Sequence, residues 1–328
     1  MISLHKDGQI PIINNLRGIA ALSVCLFHFI YSTINYVKDQ LVLDIVYYGQ
    51  FGVALFFVIS GIVIPLSLIR SDYTLKNWPR FFLKRVVRIE PPYLVALALA
   101  IVILLGRKLI LNAPNVDISA TQVALHLGYL IPFFEKYTWL NSVFWTLAIE
   151  FQYYLAISLL ILLVTKGKNF GRLAFYIIML MAPFYFTDTN FFPPYSTLFL
   201  VGICWSFYYL EKIRTTEFLI VLFLSSLVVY FKLGRLEAVI GVIAVLTVQF
   251  LNSYSSKTLN FFGNISYSLY LLHPLVGATI INILTHSFFL SWQKPFVILI
   301  GLLATILSSY IMYIFRGIHL NTYLVRIN

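Results

Sequence analysis

Arg17 and His28 stand eleven positions apart at the start of the first long apolar stretch. In an α-helix that spacing is ~1100° of rotation, so both side chains share one face and differ by ~16 Å along the axis. A histidine that far below a membrane edge is costly to insert, and by default it marks a site with a polar partner or a water-filled cavity. Histidine is also the cheapest ionisable residue to bury neutral, and it can serve simply to bond between helices. Two further groups reach comparable depth. Glu150 lies ~15 Å into the helix that carries it, and His273, ten residues after Gly263, lies ~15 Å into another. A desolvated imidazole favours its neutral form, and a neighbouring carboxylate restores basicity and selects the tautomer, which suits a general base acting on a hydroxyl. The same trio would equally make a proton relay of the kind transporters use. His273-Pro274 could instead serve only as a kink.

A second chemistry is written in the basic run Arg80, Lys84, Arg85 and Arg88, which precedes Glu90-Pro91-Pro92. Pro91 is expected to open a helix, leaving Arg85 and Arg88 beside its N-terminus, where backbone N–H groups and the dipole add to their attraction for phosphate. The run also reads as an anchor to anionic headgroups, with Glu90 cancelling part of its field. His126 and His286 are expected near the outer surface and His5 and His319 in the tails; none has a partner at metal-ligand spacing, so no metal site is expected. Trp145, Tyr267 and Tyr270 either line an acceptor groove or anchor and pack helices. Phosphate loops, serine elbows and paired-carboxylate motifs are absent from the sequence.

The elements that must position these residues follow from composition. With 60% hydrophobic and 11% charged residues, the chain is satisfied only if lipid is the solvent for most of it. The expected fold is an all-α, polytopic membrane helical bundle of about ten transmembrane helices, at 17–37, 49–69, 91–106, 140–165, 173–187, 195–210, 217–231, 238–252, 263–285 and 295–315. With both termini cytoplasmic, sixteen of the 23 Lys and Arg residues fall inside, in keeping with the positive-inside rule. The net charge of +11 then sits largely in cytoplasmic loops facing anionic lipid, and nucleic-acid binding is not expected. No polar stretch is long enough for a separate globular domain, so residues 1–328 are expected to form one domain without a fused soluble one. Met1–Asn15, with Lys6 and Asp7, has no small-residue cleavage site and is not expected to be a removable signal. Cys25 and Cys204, both in apolar segments, are expected as free thiols.

Five motifs in order resemble the acyltransferase-3 family of integral-membrane enzymes. They are Leu16-Arg17-Gly18-Ile19-Ala20-Ala21 leading to Phe27-His28; Phe56-Phe57-Val58-Ile59-Ser60-Gly61; Arg85-Val86-Val87-Arg88-Ile89-Glu90-Pro91-Pro92-Tyr93; Trp145-Thr146-Leu147-Ala148-Ile149-Glu150; and Ser266-Tyr267-Ser268-Leu269-Tyr270-Leu271-Leu272-His273. Each is weak alone in an apolar chain; the ordered set, across nearly the whole length, is specific. The chain departs from the pattern at Asn14-Asn15, where the family usually has Asp-Gly, and at Glu90, where an uncharged residue is commoner.

The resemblance implies transfer of an acyl group, most simply acetyl, from acyl-coenzyme A to a hydroxyl of a saccharide or surface polysaccharide, at the cell (inner or plasma) membrane. On that reading His28, Glu150 and His273 are expected to be catalytic, His28 as general base on the acceptor hydroxyl or as transient acceptor of the acyl group, and Arg85 and Arg88, with Arg17 as a further candidate, are expected to hold the donor's phosphates. Partners then are the bilayer, acyl-CoA and a carbohydrate acceptor, with a homo-oligomer or polysaccharide-synthesis proteins as further assemblies. Two other classes stay open: a proton-coupled exporter of a saccharide or lipid-linked sugar, and a non-catalytic scaffold.

Overall fold

Where lipid replaces water, each backbone N–H and C=O must be paired within its own segment, and helices do this. The computed structural model, which describes residues 10–31, 36–111, 118–288 and 290–327 (side chains of 111 and 316–327 excepted), is helical, with no strand among the described residues. His5, Lys6 and Asp7 lie outside these residues, as do the side chains of Arg316, His319 and Arg326.

Among the described residues thirteen α-helices follow one another: α1 (Pro11–Tyr31), α2 (Gln40–Tyr47), α3 (Gly52–Arg70), α4 (Trp78–Leu111), α5 (Ala120–Leu127), α6 (Phe144–Lys166), α7 (Lys168–Tyr185), α8 (Ser196–Tyr209), α9 (Thr215–Lys232), α10 (Arg235–Phe250), α11 (Lys257–Leu272), α12 (Thr279–Leu284) and α13 (Lys294–Ile327). A π-helical segment, His273–Ala278, joins α11 to α12. Among the described residues seven stretches are long and apolar enough to cross a membrane: Pro11–Tyr31, Gln40–Arg70, Leu75–Ile110, Phe144–Lys166, Thr215–Lys232, Lys257–Leu284 and Lys294–Phe315. With large apolar side chains such as Leu109, Ile110, Phe231 and Leu307 exposed on them, the chain is a multi-pass membrane protein. The expected segments 173–187, 195–210 and 238–252 are also helical, as α7, α8 and α10. At 14 residues, α8 reaches only ~21 Å against a hydrocarbon thickness of ~30 Å.

The expected helix start at Pro91 is corrected. α4 runs unbroken for 34 residues from Trp78, with Pro91 and Pro92 inside it. Pro79 already occupies its first turn, where a missing N–H costs nothing. Pro91 and Pro92 deprive the Val87 and Arg88 carbonyls of helical donors, and Tyr267 Oη donates to the next carbonyl, Ile89 O, at 2.8 Å.

The described residues divide into two compact units. The first holds 10–20, Phe51–Lys84 and Ala148–Asn260; the second holds Ala21–Gln50, Arg85–Leu147 and 261–327. In the first, α3 and α8 meet backbone to backbone. A Cβ on Gly61 would lie 2.2 Å from Phe199 O, and one on Gly202 2.1 Å from Val58 O. Small residues allow such an approach, and Ser206 Oγ donates to Ile62 O across it at 2.8 Å. Because α8 is buried from Ser196 to Phe207, it need not match the lipid thickness. Phe199 stacks on Tyr153 at 4.0 Å and on Phe57 at 4.9 Å. Arg172 binds both oxygens of Glu217, at 2.6 and 3.1 Å, tying α7 to α9.

In the second unit, Tyr93 of α4 packs against Phe144 and Tyr129, with ring centroids 4.7 and 4.8 Å away. Asn141 Nδ2 donates to Leu271 O at 3.0 Å, and the Tyr270 and Thr146 hydroxyls pair at 2.9 Å, fixing the end of α11. Both cysteines are buried and free.

Candidate active site

His28 lies in the last turn of α1, half-buried, with Phe27 edge-on at 5.3 Å. Its ring stands 5.0 Å from that of His273, tilted by 47°. The two histidines, 245 positions apart in the chain, thus form a pair within the second unit. His273 has no exposed surface. Among the described residues neither of its ring nitrogens makes a well-formed hydrogen bond, although the ring stands beside the Leu269 and Tyr270 carbonyls. Its other neighbours are aromatic: Tyr270 at 5.8 Å and Phe29 at 6.3 Å.

Local backbone explains the placement. Pro274 offers no N–H to the Tyr270 carbonyl, so the regular α-helical ladder cannot continue through this point. The chain widens into the π-helical turn His273–Ala278 and then resumes as α12. Such turns are rare and occur often at functional sites.

Glu150 belongs to the first unit. Its Oε1 accepts hydrogen bonds from Ser60 Oγ, at 3.0 Å, and from Tyr154 Oη one turn along α6. Ser60 sits beside Gly61 at the α3–α8 contact, so the Phe-Phe-Val-Ile-Ser-Gly stretch supplies both a close approach and a donor. Arg17 also lies in the first unit, on α1 and partly buried. Nearby Asn14 Nδ2 reaches Asn260 O and Oδ1 at 3.2 and 3.3 Å. Arg85 and Arg88 are partly buried in the second unit and sit within α4. The helix N-terminus expected to help them is therefore absent at their position, and any anion they hold is held by their guanidinium groups.

Several contributing residues were invisible to spacing. Glu90 accepts a hydrogen bond from Tyr129 Oη at 3.0 Å. Tyr129 has φ 56°, a left-handed conformation unfavourable for an aromatic residue and held here by the Tyr93 and Glu90 contacts. His126, expected near the outer face of the membrane, is fully buried within the protein. The Leu140 N–H donates to its Nε2 at 3.1 Å and its Nδ1 lies 2.8 Å from Gln122 O, so it staples the 128–143 connection to α5 as a neutral ring protonated on Nδ1. Burial pulls its pKa below the usual 6.5, against a smaller opposing effect of the Gln122 carbonyl. Among the described residues no group of three or more His, Cys, Asp or Glu side chains could hold a metal ion.

Comparison with known proteins agrees with the motif order. No solved structure matches the chain. Proteins named "Putative O-acetyltransferase" from Staphylococcus aureus strains COL and MSSA476 are each 24% identical over an alignment covering 94% of this chain and 57% of their own length. The chain therefore spans little more than half of those relatives. The family model for the acyltransferase domain of the acyltransferase-3 group matches residues 10–314, which takes in each of the five motifs, and the chain belongs to that family.

Proposed function

We propose that the protein is a membrane O-acyltransferase that moves an acyl group, acetyl in the simplest case, from acyl-coenzyme A to a hydroxyl of a saccharide or surface polysaccharide. The observation that carries this reading is the His28–His273 pair: a half-buried imidazole 5.0 Å from one that is fully buried and surrounded by aromatic rings. Family membership and the names of the relatives support the reaction class.

In this reading an unprotonated ring nitrogen of His28 takes the proton from the acceptor hydroxyl. The oxygen attacks the thioester carbonyl, the C–O bond forms, and the C–S bond breaks. The imidazolium then returns its proton to the departing coenzyme A thiolate. His273 orients the His28 ring and excludes water from its far side. Glu150 is assigned by the family resemblance to supporting this base, and Ser60 and Tyr154 hold its carboxylate in one orientation. Arg85 and Arg88 bind donor phosphates by charge-assisted hydrogen bonds, with Arg17 assigned to the same donor. The chain acts as one acyltransferase domain in the cell membrane, with about ten spans and both termini in the cytoplasm, where the donor is made. The acceptor and any polysaccharide-synthesis proteins complete its set of partners.

The test is thioester consumption. Purified protein in liposomes, given labelled acetyl-coenzyme A, should release coenzyme A in a His28-dependent and acceptor-stimulated way. Saccharide flux without thioester loss, or a His28→Ala protein as active as the parent, would overturn the reading.

A further inference from the structure

Gly277 lies in the same π-helical segment that His273 opens, and it is buried. A Cβ built on it would stand 2.2 Å from Cζ and 2.5 Å from Cε1 of Phe29, and 2.3 Å from Oγ1 of Thr305. Carbon atoms in contact sit ~3.5–4.0 Å apart, so a single methyl group here demands a displacement of more than ~1 Å. Neither neighbour has room to give. Phe29 and Thr305 both have 0% exposure, and Thr305 Oγ1 donates to Gly301 O at 2.7 Å. Gly301 in turn faces Gly277 O, 3.1 Å from where its own Cβ would be.

Phe29 is the residue after His28, and its ring stands edge-on to His273 at 6.3 Å. One aromatic side chain therefore rests its tip on Gly277 and stands against His273, while the adjoining residue carries the base. We propose that Gly277 is a positioning residue: the hollow left by its missing side chain seats Phe29, and this seat sets the separation of the two imidazole rings. The proposal rests on the reading of His28 as the base, and it adds a residue that touches neither donor nor acceptor.

A shift of ~1 Å in a catalytic group costs about 10²-fold in rate. Gly277→Ala should therefore lower kcat by about 10²-fold, while KM for acetyl-coenzyme A stays within about threefold because the arginines are untouched. Phe29→Leu empties the seat from the other side and should lower kcat by about tenfold. The double variant Phe29→Leu/Gly277→Ala refills it and should exceed both single variants in kcat, the signature of coupled neighbours. Should Gly277→Ala fail to fold, the comparison of the double variant with Phe29→Leu decides alone. Additive losses, or a Gly277→Ala protein within about threefold of the parent, would overturn the proposal. A His28→Ala control separates the two readings. If it is inactive and the cycle is additive, the seat alone is wrong; if it is active, the base assignment is wrong whatever the cycle gives.

Discussion

Glu150 and His273 are both polar groups in apolar surroundings, and they are treated in opposite ways. The carboxylate, beside the glycine contact of α3 and α8, accepts two hydroxyl hydrogen bonds. The imidazole, at the head of a π-helical turn, is fully buried without a well-formed hydrogen bond to a described residue. A buried polar group left unmatched costs ~1–3 kcal/mol, whereas a matched one contributes ~1 kcal/mol or more. The first region fixes the direction of a carboxylate with two donors, whereas the second holds a ring by packing among aromatic neighbours.

The comparison breaks or sharpens through substitutions of decreasing effect. His28→Ala should lower kcat by about 10³-fold, within the range for loss of a general base, with little change in melting temperature because the ring is half-exposed. Replacing the other ring should split activity from stability. His273→Leu should reduce kcat by about 10²-fold, yet leave the melting temperature equal or higher, since no hydrogen bond is lost. A clear fall in melting temperature would show that the imidazole is satisfied after all and would erase the contrast. Glu150→Leu is the mirror case: it strands Ser60 and Tyr154 and should destabilise the protein by about 2–3 kcal/mol, read by denaturant or thermal unfolding in detergent.

Smaller effects test the flanks. Arg85→Ala and Arg88→Ala should each raise KM for acetyl-coenzyme A by about tenfold with kcat nearly unchanged, as expected for groups that bind ground and transition states alike. The least effect belongs to His126. Burial lowers its pKa in the folded protein, so on acidification the unfolded chain takes up the proton first. The stability it contributes is fully present above about pH 6.5 and is lost as pH falls through the lowered folded value. Proteolysis of the 128–143 connection should quicken below pH 6, and His126→Gln should flatten that dependence.

Much of this was legible in the residues. Apolar runs of about twenty residues dictated helices because lipid leaves the backbone no other partner, and periodicity placed Arg17 and His28 on one helix. The motif order named the family. Spacing misled at Pro91, where a proline that usually opens a helix sits within α4, because Pro79 had already taken the first turn.

Local rules determine what a segment is: its helicity, its polarity, and which residues share one helix. Those are properties of neighbours in the chain, set by 1.5 Å per residue and by the cost of exposing backbone to lipid. Tertiary structure alone decided that His28 meets His273 at 5.0 Å, that Glu150 turns to Ser60, and that Gly277 makes room for Phe29. Such contacts join residues tens to hundreds of positions apart, and they depend on side-chain volumes at the crossing, which no period in the sequence records.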